Sequence, residues 1–387
     1  MTTETMKNSG VEWIGNIPRE WSISRLKDCL EIRNGKEVET DGGDIPVYGS
    51  GGVFGSTTSF LHDGESILFG RKGTIDKPLL AAGEFWTVDT MFYSVLRGND
   101  NLKYLYYAAL CLDFKSRQSG STLPSMTQTA LGGFFIPRPK LQEQQIIAAV
   151  LDEETGKIDQ AIHLLQQELE TMEQLKKSLI YEAVTKGLDP SVPMKPSGVD
   201  WIGDIPEHWQ AKRLKYLCMM KSGDNLTSND IADSDTVPVY GGNGIRGYYS
   251  MYNNSVDRVL IGRQGALCGN VHFAMAPFWA TDHAIVVTEG SEYIKQFAFY
   301  ALLAMNLNRL SMTAAQPGLA VETVMNEFSP LPSLYEQETI VSYLESRTDN
   351  FNQILAIKER QLELLQQQRQ SLIFEYVTGK RRVSEVA

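Results

Sequence analysis

The sequence predicts an α/β protein: two similar mixed domains joined by two long antiparallel coiled-coil helices, the whole an internal pseudo-twofold duplication. Three observations predict it. A heptad-spaced apolar seam runs through residues 141–187, a second seam occupies 334–380, and the stretches before the two seams match block by block. The expected layout is a first mixed domain over 1–140, a long helix over 141–188, a second mixed domain over 189–333, and a second helix with its tail over 334–387.

In the first seam, apolar residues recur every seven positions at Leu151, Ile158, Leu165, Met172 and Leu179, with Ile162 and Leu169 between them. That period puts one apolar stripe along one side of a helix. Pro137 and Pro139 precede it and Gly187 and Pro190 follow it, which are start and stop signals. At ~1.5 Å per residue, about 40 residues make a rod of roughly 60 Å, too long for one small domain to bury. A partner of equal length lies in the same chain. At a constant offset of 193, Glu143 meets Glu336, Ser178 meets Ser371, Leu151 meets Leu344, Ile162 meets Leu355, and Leu179 meets Leu372. One apolar position is lost, because Leu165 meets Lys358. An antiparallel pair is the simplest way to bury both stripes.

Each mixed domain opens with a lead-in segment carrying two tryptophans, SGVEWIGNIPREW over Ser9–Trp21 and SGVDWIGDIPEHW over Ser197–Trp209. A short polar helix is expected at RLKDCL and RLKYLC. Strands are expected at Ile45–Tyr48, Ser66–Phe69 and Phe92–Leu96, between glycine turns. A helical piece over Leu102–Phe114 matches one over Tyr293–Leu307, and proline-marked exits follow at Phe135–Pro139 and Phe328–Pro332. Gly187–Pro196, with its DPSVPMKP run, reads as an extended linker.

A chain of 387 residues, 42% hydrophobic and 21% charged, has enough material for two or three globular cores. It contains no run of about 18 apolar residues, so no membrane span is expected, and its start lacks a signal-peptide core. Cys29, Cys111, Cys218 and Cys268 form no C-x-x-C pair, which suits a reducing cytoplasm. The net charge of −11 argues at first sight against nucleic acid. The two rods carry −7 of it, however, so the mixed domains are close to neutral and free to present a locally basic face.

Gly242-x-Gly244-x-x-Gly247 matches the dinucleotide fingerprint in letters only. No helix follows it, and the first half has Ser50 where Gly242 stands, so a turn-forming loop is the better reading. GRKG at Gly70–Gly73 and GRQG at Gly262–Gly265 are more informative: glycines flank a long polar residue on a turn after an apolar strand. Arg71, Lys72 and Arg263 suit phosphates, while an arginine or Gln264 suits a base edge. Polar residues that differ between the halves fit a surface that reads different things. These are Lys36, Ser56, Thr57, Lys77, Arg117 and Gln128 in the first, and Asn225, Arg246, Asn270, His272, Gln316 and Glu322 in the second. Asp89 and Asp282 recur in WTVDT and WATDH but have no second ligand at metal spacing, so a structural hydrogen-bonding role is expected. No catalytic constellation and no metal site is expected.

The order GVxWIGxIPxxW, YGxxGxxG, GRxG, then PxPxxxEQ into a long helix, all present twice, resembles the specificity subunit of a type I restriction–modification enzyme. The likeness runs from about Ser9 to Lys380. Its most diagnostic pieces are Gly10, Trp13, Ile14, Gly15, Pro18 and Trp21, with Pro139, Glu143, Gln144, Pro332, Glu336 and Gln337 at the helix starts. The resemblance implies a chain without catalysis of its own, in which two target-recognition domains each read one half of a bipartite double-stranded DNA sequence. The helices then act as a ruler for the unspecified spacer. It implies two methyltransferase subunits bringing S-adenosylmethionine, and restriction/translocase subunits using ATP and magnesium, with no cofactor in this chain. Independently, a duplicated chain suits two half-sites in opposite orientation, and its differing inserts suit half-sites of different sequence. A self-contained DNA methyltransferase or a glycan-active enzyme would need cofactor and catalytic motifs that the sequence lacks. A coiled-coil scaffold without DNA is the other alternative, and sequence-dependent DNA protection separates it.

Overall fold

The heptad stripes form the two longest helices, Leu141–Lys186 and Leu334–Val377. The structure, a computed structural model, describes residues 6–38, 40, 42–120, 122–265, 267–311 and 318–383. Along the first helix Leu151 and Leu165 are buried, and Ile158, Ile162, Leu169, Met172 and Leu179 are half-buried. Along the second, Leu344 and Leu355 are buried, and Phe351, Leu362, Leu365 and Leu372 are half-buried. Lys358, the missing apolar position, still lies half-buried: its stem follows the stripe while Nζ reaches Glu168 at 2.5 Å. Both helices end at a left-handed glycine, Gly187 at φ 76° and Gly379 at φ 70°. A Cβ would be strained there and would press on Trp209 and Pro18 respectively.

The chain divides into two compact units, residues 1–166 with 360–387 and residues 167–359. Each unit therefore holds one mixed domain and a half of each long helix. In the first unit Arg369 grips Asp159 through Nε at 2.7 Å and Nη2 at 3.1 Å. In the second, Glu168 pairs with Lys358, and Lys176 donates to Asn352 Oδ1 at 2.6 Å. Rising numbers on one helix meet falling numbers on the other, so the helix halves within that unit run antiparallel.

The mixed domain of the first unit is built on two sheets. One runs antiparallel in the order Leu30–Asn34, Met91–Leu96, Ser66–Gly70, Leu79–Ala81. The other runs Gly52–Thr57, Ile45–Gly49, Glu84–Thr87, His62–Asp63, with a parallel step between Ile45–Gly49 and Glu84–Thr87. The second unit repeats this plan: Cys218–Ser222, Ala284–Glu289, Arg258–Gly262, Val271–Ala274 in one sheet, and Gly244–Tyr249, Val237–Gly241, Trp279–Ala280 in the other. The strands just after the lead-in tryptophan segments pair with the proline exits, Ser22–Arg25 with Phe135–Arg138 and Gln210–Arg213 with Phe328–Leu331. The exit therefore closes back on the start of its own domain. The expected helical pieces form Leu102–Leu110 and Lys295–Ala304, each followed by a short 3-10 turn. The DPSVPMKP run, expected as an extended linker, ends in a strand: Met194–Pro196 pairs antiparallel with Asp204–Pro206.

Apolar burial ties each domain to its helix halves. In the first unit Trp21, Tyr104, Phe69, Phe92 and Phe114 share a core with Ile147, Ala148 and Leu151 of one helix and Ile373, Tyr376 and Val377 of the other. In the second, Trp209, Tyr293 and Phe297 share one with Ile180, Ala183, Val184, Ile340, Val341 and Leu344. The Glu-Gln pairs at the helix starts do the polar part of this work. Trp21 Nε1 donates to Glu143 Oε2 at 2.8 Å, and Trp209 Nε1 to Glu336 Oε1 at 2.9 Å. Gln144, 1% exposed, accepts from Asn101 N and donates to Asp100 Oδ1 and Pro139 O. Gln337, fully buried, accepts from Ile294 N and donates to Glu292 O and Pro332 O.

Candidate nucleic-acid interface

In each unit four segments that are far apart in sequence meet on one face: the glycine hairpin, the GRxG turn, the aspartate loop, and the loop after the helical piece. The GRxG arginine holds the junction. Arg71 N donates to Thr90 O at 2.8 Å and its Nη1 to Asp89 O at 3.2 Å. Arg263 repeats both bonds, to His283 O at 2.8 Å and Asp282 O at 3.3 Å. The aspartates were expected as structural hydrogen-bonding residues; in both units it is their backbone carbonyl that accepts from the arginine.

Backbone bonds fasten the last segment to the turn. Met126 N donates to Arg71 O at 2.9 Å and Gly73 N to Pro124 O at 2.9 Å, while Leu319 N donates to Arg263 O at 2.8 Å. The glycine hairpin approaches from the other side. A Cβ on Gly73 would lie 3.2 Å from Ser50 Oγ, and one on Gly262 would strike Gly242 O at 1.9 Å. Gly73 and Gly265 both have left-handed φ, 82° and 94°, which glycine alone adopts cheaply. The residue between arginine and glycine is thereby pushed outward: Lys72 and Gln264 are exposed, whereas Arg71 and Arg263 are half-buried.

The other candidates are placed as follows. Lys36 and Lys77 are exposed, and Lys36 uses its backbone carbonyl to accept from Trp86 Nε1. Ser56 is half-buried on the hairpin strand. Thr57 is 2% exposed and its Oγ1 accepts from Ser59 N, so its hydroxyl faces inward and serves the hairpin; the expected surface role needs correction on that ground. Arg117 is exposed but stacks 4.7 Å over Phe134 and donates to Ala130 O, and Gln128 donates to Ile32 O at 3.0 Å. In the second unit Asn225, Arg246 and Glu322 are exposed, and exposed Asn270 donates to Asn243 Oδ1 at 2.7 Å. His272 is half-buried beneath Gly244, and its Nε2 is enclosed without a hydrogen-bond partner among the described residues. Burial pushes that imidazole below its usual pKa. Gln316 lies outside the described residues.

Sequence reasoning missed the exposed apolar residues of this face. Val53 and Phe54 on the first hairpin are 58% and 62% exposed, and Ile245 on the second is 53% exposed. The sequence carries no signal for them, because the register shifts at Val47/Tyr48 and Val239/Tyr240 decide which way these side chains face. The docking of residues 124–126 on the GRxG turn had no signal either, because backbone atoms make it.

The family model for the type I restriction modification DNA specificity domain matches this chain twice, over residues 18–174 and 206–364. The chain belongs to that family. Its two specificity domains each take in one of the faces just described together with the first half or more of one long helix. A relative in Escherichia coli, the type I restriction enzyme EcoprrI specificity subunit, is 30% identical over 67% of this chain and 64% of its own length. Another, the type I restriction enzyme MjaVIII specificity subunit of Methanocaldococcus jannaschii, is 24% identical over 96% of this chain and 95% of its own. A chain solved in work on complex assembly and conformational transition of the type I R-M system shares the fold at a TM-score of 0.64, with 15% identity over 93% of this chain and 98% of that one. Among the described residues no helix is long and apolar enough to cross a membrane.

Proposed function

We propose that this chain is the non-catalytic, DNA-reading subunit of a type I restriction–modification complex, and that each of its two specificity domains reads one half of a bipartite duplex target. One observation carries the reading. The same junction of glycine hairpin, GRxG turn and aspartate loop is built twice with matching bonds, while its outward residues differ: Lys72 against Gln264, Phe54 against Arg246. A fixed frame with exchanged outward side chains suits two reading surfaces of one design and different sequence. Arg71 and Arg263 each commit one guanidinium nitrogen to the frame and keep further guanidinium donors for phosphate. The long helices set the spacing between half-sites. Two methyltransferase subunits supply S-adenosylmethionine, and translocating nuclease subunits use ATP and magnesium; this chain brings none of these.

The test is methylome sequencing of a host with and without the chain, co-expressed with its partner subunits. The expected result is a bipartite motif that depends on the chain. Replacing residues 49–73 by the corresponding residues of a relative should change one half of the motif and leave the other intact. A replacement that altered both halves together would overturn independent reading by the two domains.

A further inference from the structure

In both hairpins one residue has no partner across the strands. The register passes from Val47 opposite Gly55 to Tyr48 opposite Val53, and from Val239 opposite Gly247 to Tyr240 opposite Ile245. The skipped residues are Phe54 and Arg246. A bulge of this kind inserts one residue into a strand and re-aims its side chain. Each bulged side chain covers a glycine of the facing strand: a Cβ on Gly49 would meet Phe54 Cδ1 at 3.1 Å, and one on Gly241 would meet Arg246 Cδ at 3.0 Å. The two residues thus occupy the same place in the two domains, on the strand that leads out of the glycine turn beside GRxG. Phe54 and its neighbour Val53 are 62% and 58% exposed, so the bulge presents two adjacent apolar side chains instead of a lone one. Arg246 is exposed, and its guanidinium makes one long hydrogen bond, 3.4 Å from Nη2 to Ser228 Oγ.

We propose that the bulged residue is the specificity-determining position of each domain: Phe54 reads a thymine through its C5-methyl group, and Arg246 reads a guanine through O6 and N7. Resting on the reading of two DNA-recognising domains, it adds which side chain discriminates and which base each selects. An exposed aromatic ring with Val53 beside it offers apolar contact and no hydrogen bond, and the thymine methyl is the apolar feature of the major groove. A guanidinium with its donors largely free matches the paired acceptors of guanine.

The experiment measures binding of the complex formed by the full chain and its methyltransferase partner to its own methylated duplex, with single-base analogues. Replacing thymines of one half-site one at a time by uracil should find one position where affinity falls about fourfold, the worth of one buried methyl group. Replacing guanines of the other half by 7-deazaguanine should find one with a fall of about fivefold to a hundredfold. The uracil effect should vanish in Phe54→Ala and the deazaguanine effect in Arg246→Ala, which removes the guanidinium donors. These first measurements use the unaltered chain, so they stand even if a variant assembles poorly. Uniform tolerance of every analogue, or equal losses at all positions, would overturn the assignment. If the complex still methylates a bipartite motif in that case, the two-domain reading survives and this one falls. A complex with no chain-dependent motif would defeat both.

Discussion

Arg369 grips Asp159 with two hydrogen bonds in the first unit, and at the positions related by the offset of 193 the second unit has Lys176 donating once to Asn352. The bond between the helix halves is kept while the ion pair is dropped, because neutral Asn352 stands where Asp159 does. At the helix starts the shared bonds are kept: Trp21 with Glu143 and Trp209 with Glu336 are the same bond, and Gln144 and Gln337 each accept from one backbone N–H and donate to the carbonyl of the preceding proline. The difference follows burial. Arg369 and Lys176 lie along half-open helix faces, where an exposed pair contributes about 0.2–1 kcal/mol and a change is cheap. The two tryptophans are 1% exposed and the glutamines are enclosed, so a lost partner there leaves a buried group without compensation. Duplicate domains drift where water can repair the change.

The most forceful way to break this comparison is at the tryptophans. Trp21→Ala and Trp209→Ala should each cost about 3–5 kcal/mol, since each empties a large site and removes one donor from a partly buried carboxylate. Urea unfolding of the two variants measures it. The expected losses are similar, and a loss below ~1 kcal/mol at either one would mean that the repeated bond does not serve both units equally.

A finer probe is the glutamine. Gln144→Leu and Gln337→Leu should each cost about 1–3 kcal/mol, with the first the more damaging. Gln144 also serves Asp100, whose carboxylate is bound by Arg138 Nε and Nη2 at 2.9 Å each, whereas Gln337 meets a carbonyl at the matched place, Glu292 O. Burial pushes the Asp100 carboxyl up, but the bonds from Arg138 and Gln144 outweigh it and leave it below its ordinary value. Its stabilisation is therefore complete above the unfolded value near 3.9 and is lost as pH falls through the lower folded one. Gln144→Leu brings the folded value closer to the unfolded one, so that acid loss should become smaller and end at higher pH. Glu336 provides the counterpart in the second unit. Burial raises it, and bonds from Trp209, His208 and Ser333 bring it down to about 2, so its contribution fades between about 4.5 and about 2. Stability measured against pH checks both, and an unchanged acid limb in Gln144→Leu would remove Asp100 from the account.

The sequence made the helices and the duplication legible because both are periodic: a stripe of period seven and blocks at a near-constant offset survive without knowledge of contacts. It marked Glu143, Gln144 and the tryptophans as a pattern but not as partners, since Trp21 and Glu143 stand 122 residues apart. The convergence of four segments on the candidate face was less legible still. Arg71 and Arg263 looked free to meet a ligand, yet each commits a donor to the carbonyl of an aspartate that looked like a separate motif. Backbone carbonyls carry no residue-type signal, so no spacing rule could join the two. Thr57 misled for the related reason that strand alternation decides which hydroxyls face outward, and the bulge at Phe54 shifts that alternation by one residue.

The smallest expected effect sharpens the comparison at one side chain. On the edge strands, His272 stands opposite Leu260, and Leu79 stands opposite Leu68 in the same register, so His272 replaces a leucine. Leu79 packs on the small core of Leu68, Phe85 and Tyr93, whereas His272 keeps a ring nitrogen enclosed with no hydrogen-bond partner among the described residues. Burial lowers the imidazole pKa, so the folded form prefers it neutral. Stability from this group is thus complete above the unfolded value near 6.5 and declines as pH falls below it, because the unfolded chain takes up the proton first. His272→Leu should raise stability by about 1 kcal/mol at neutral pH by removing the unpaired nitrogen, and should flatten the decline below pH ~6.5. A variant that is less stable at pH 7 would show that the nitrogen has a partner, and would make His272 a functional departure from the shared frame instead of a tolerated one.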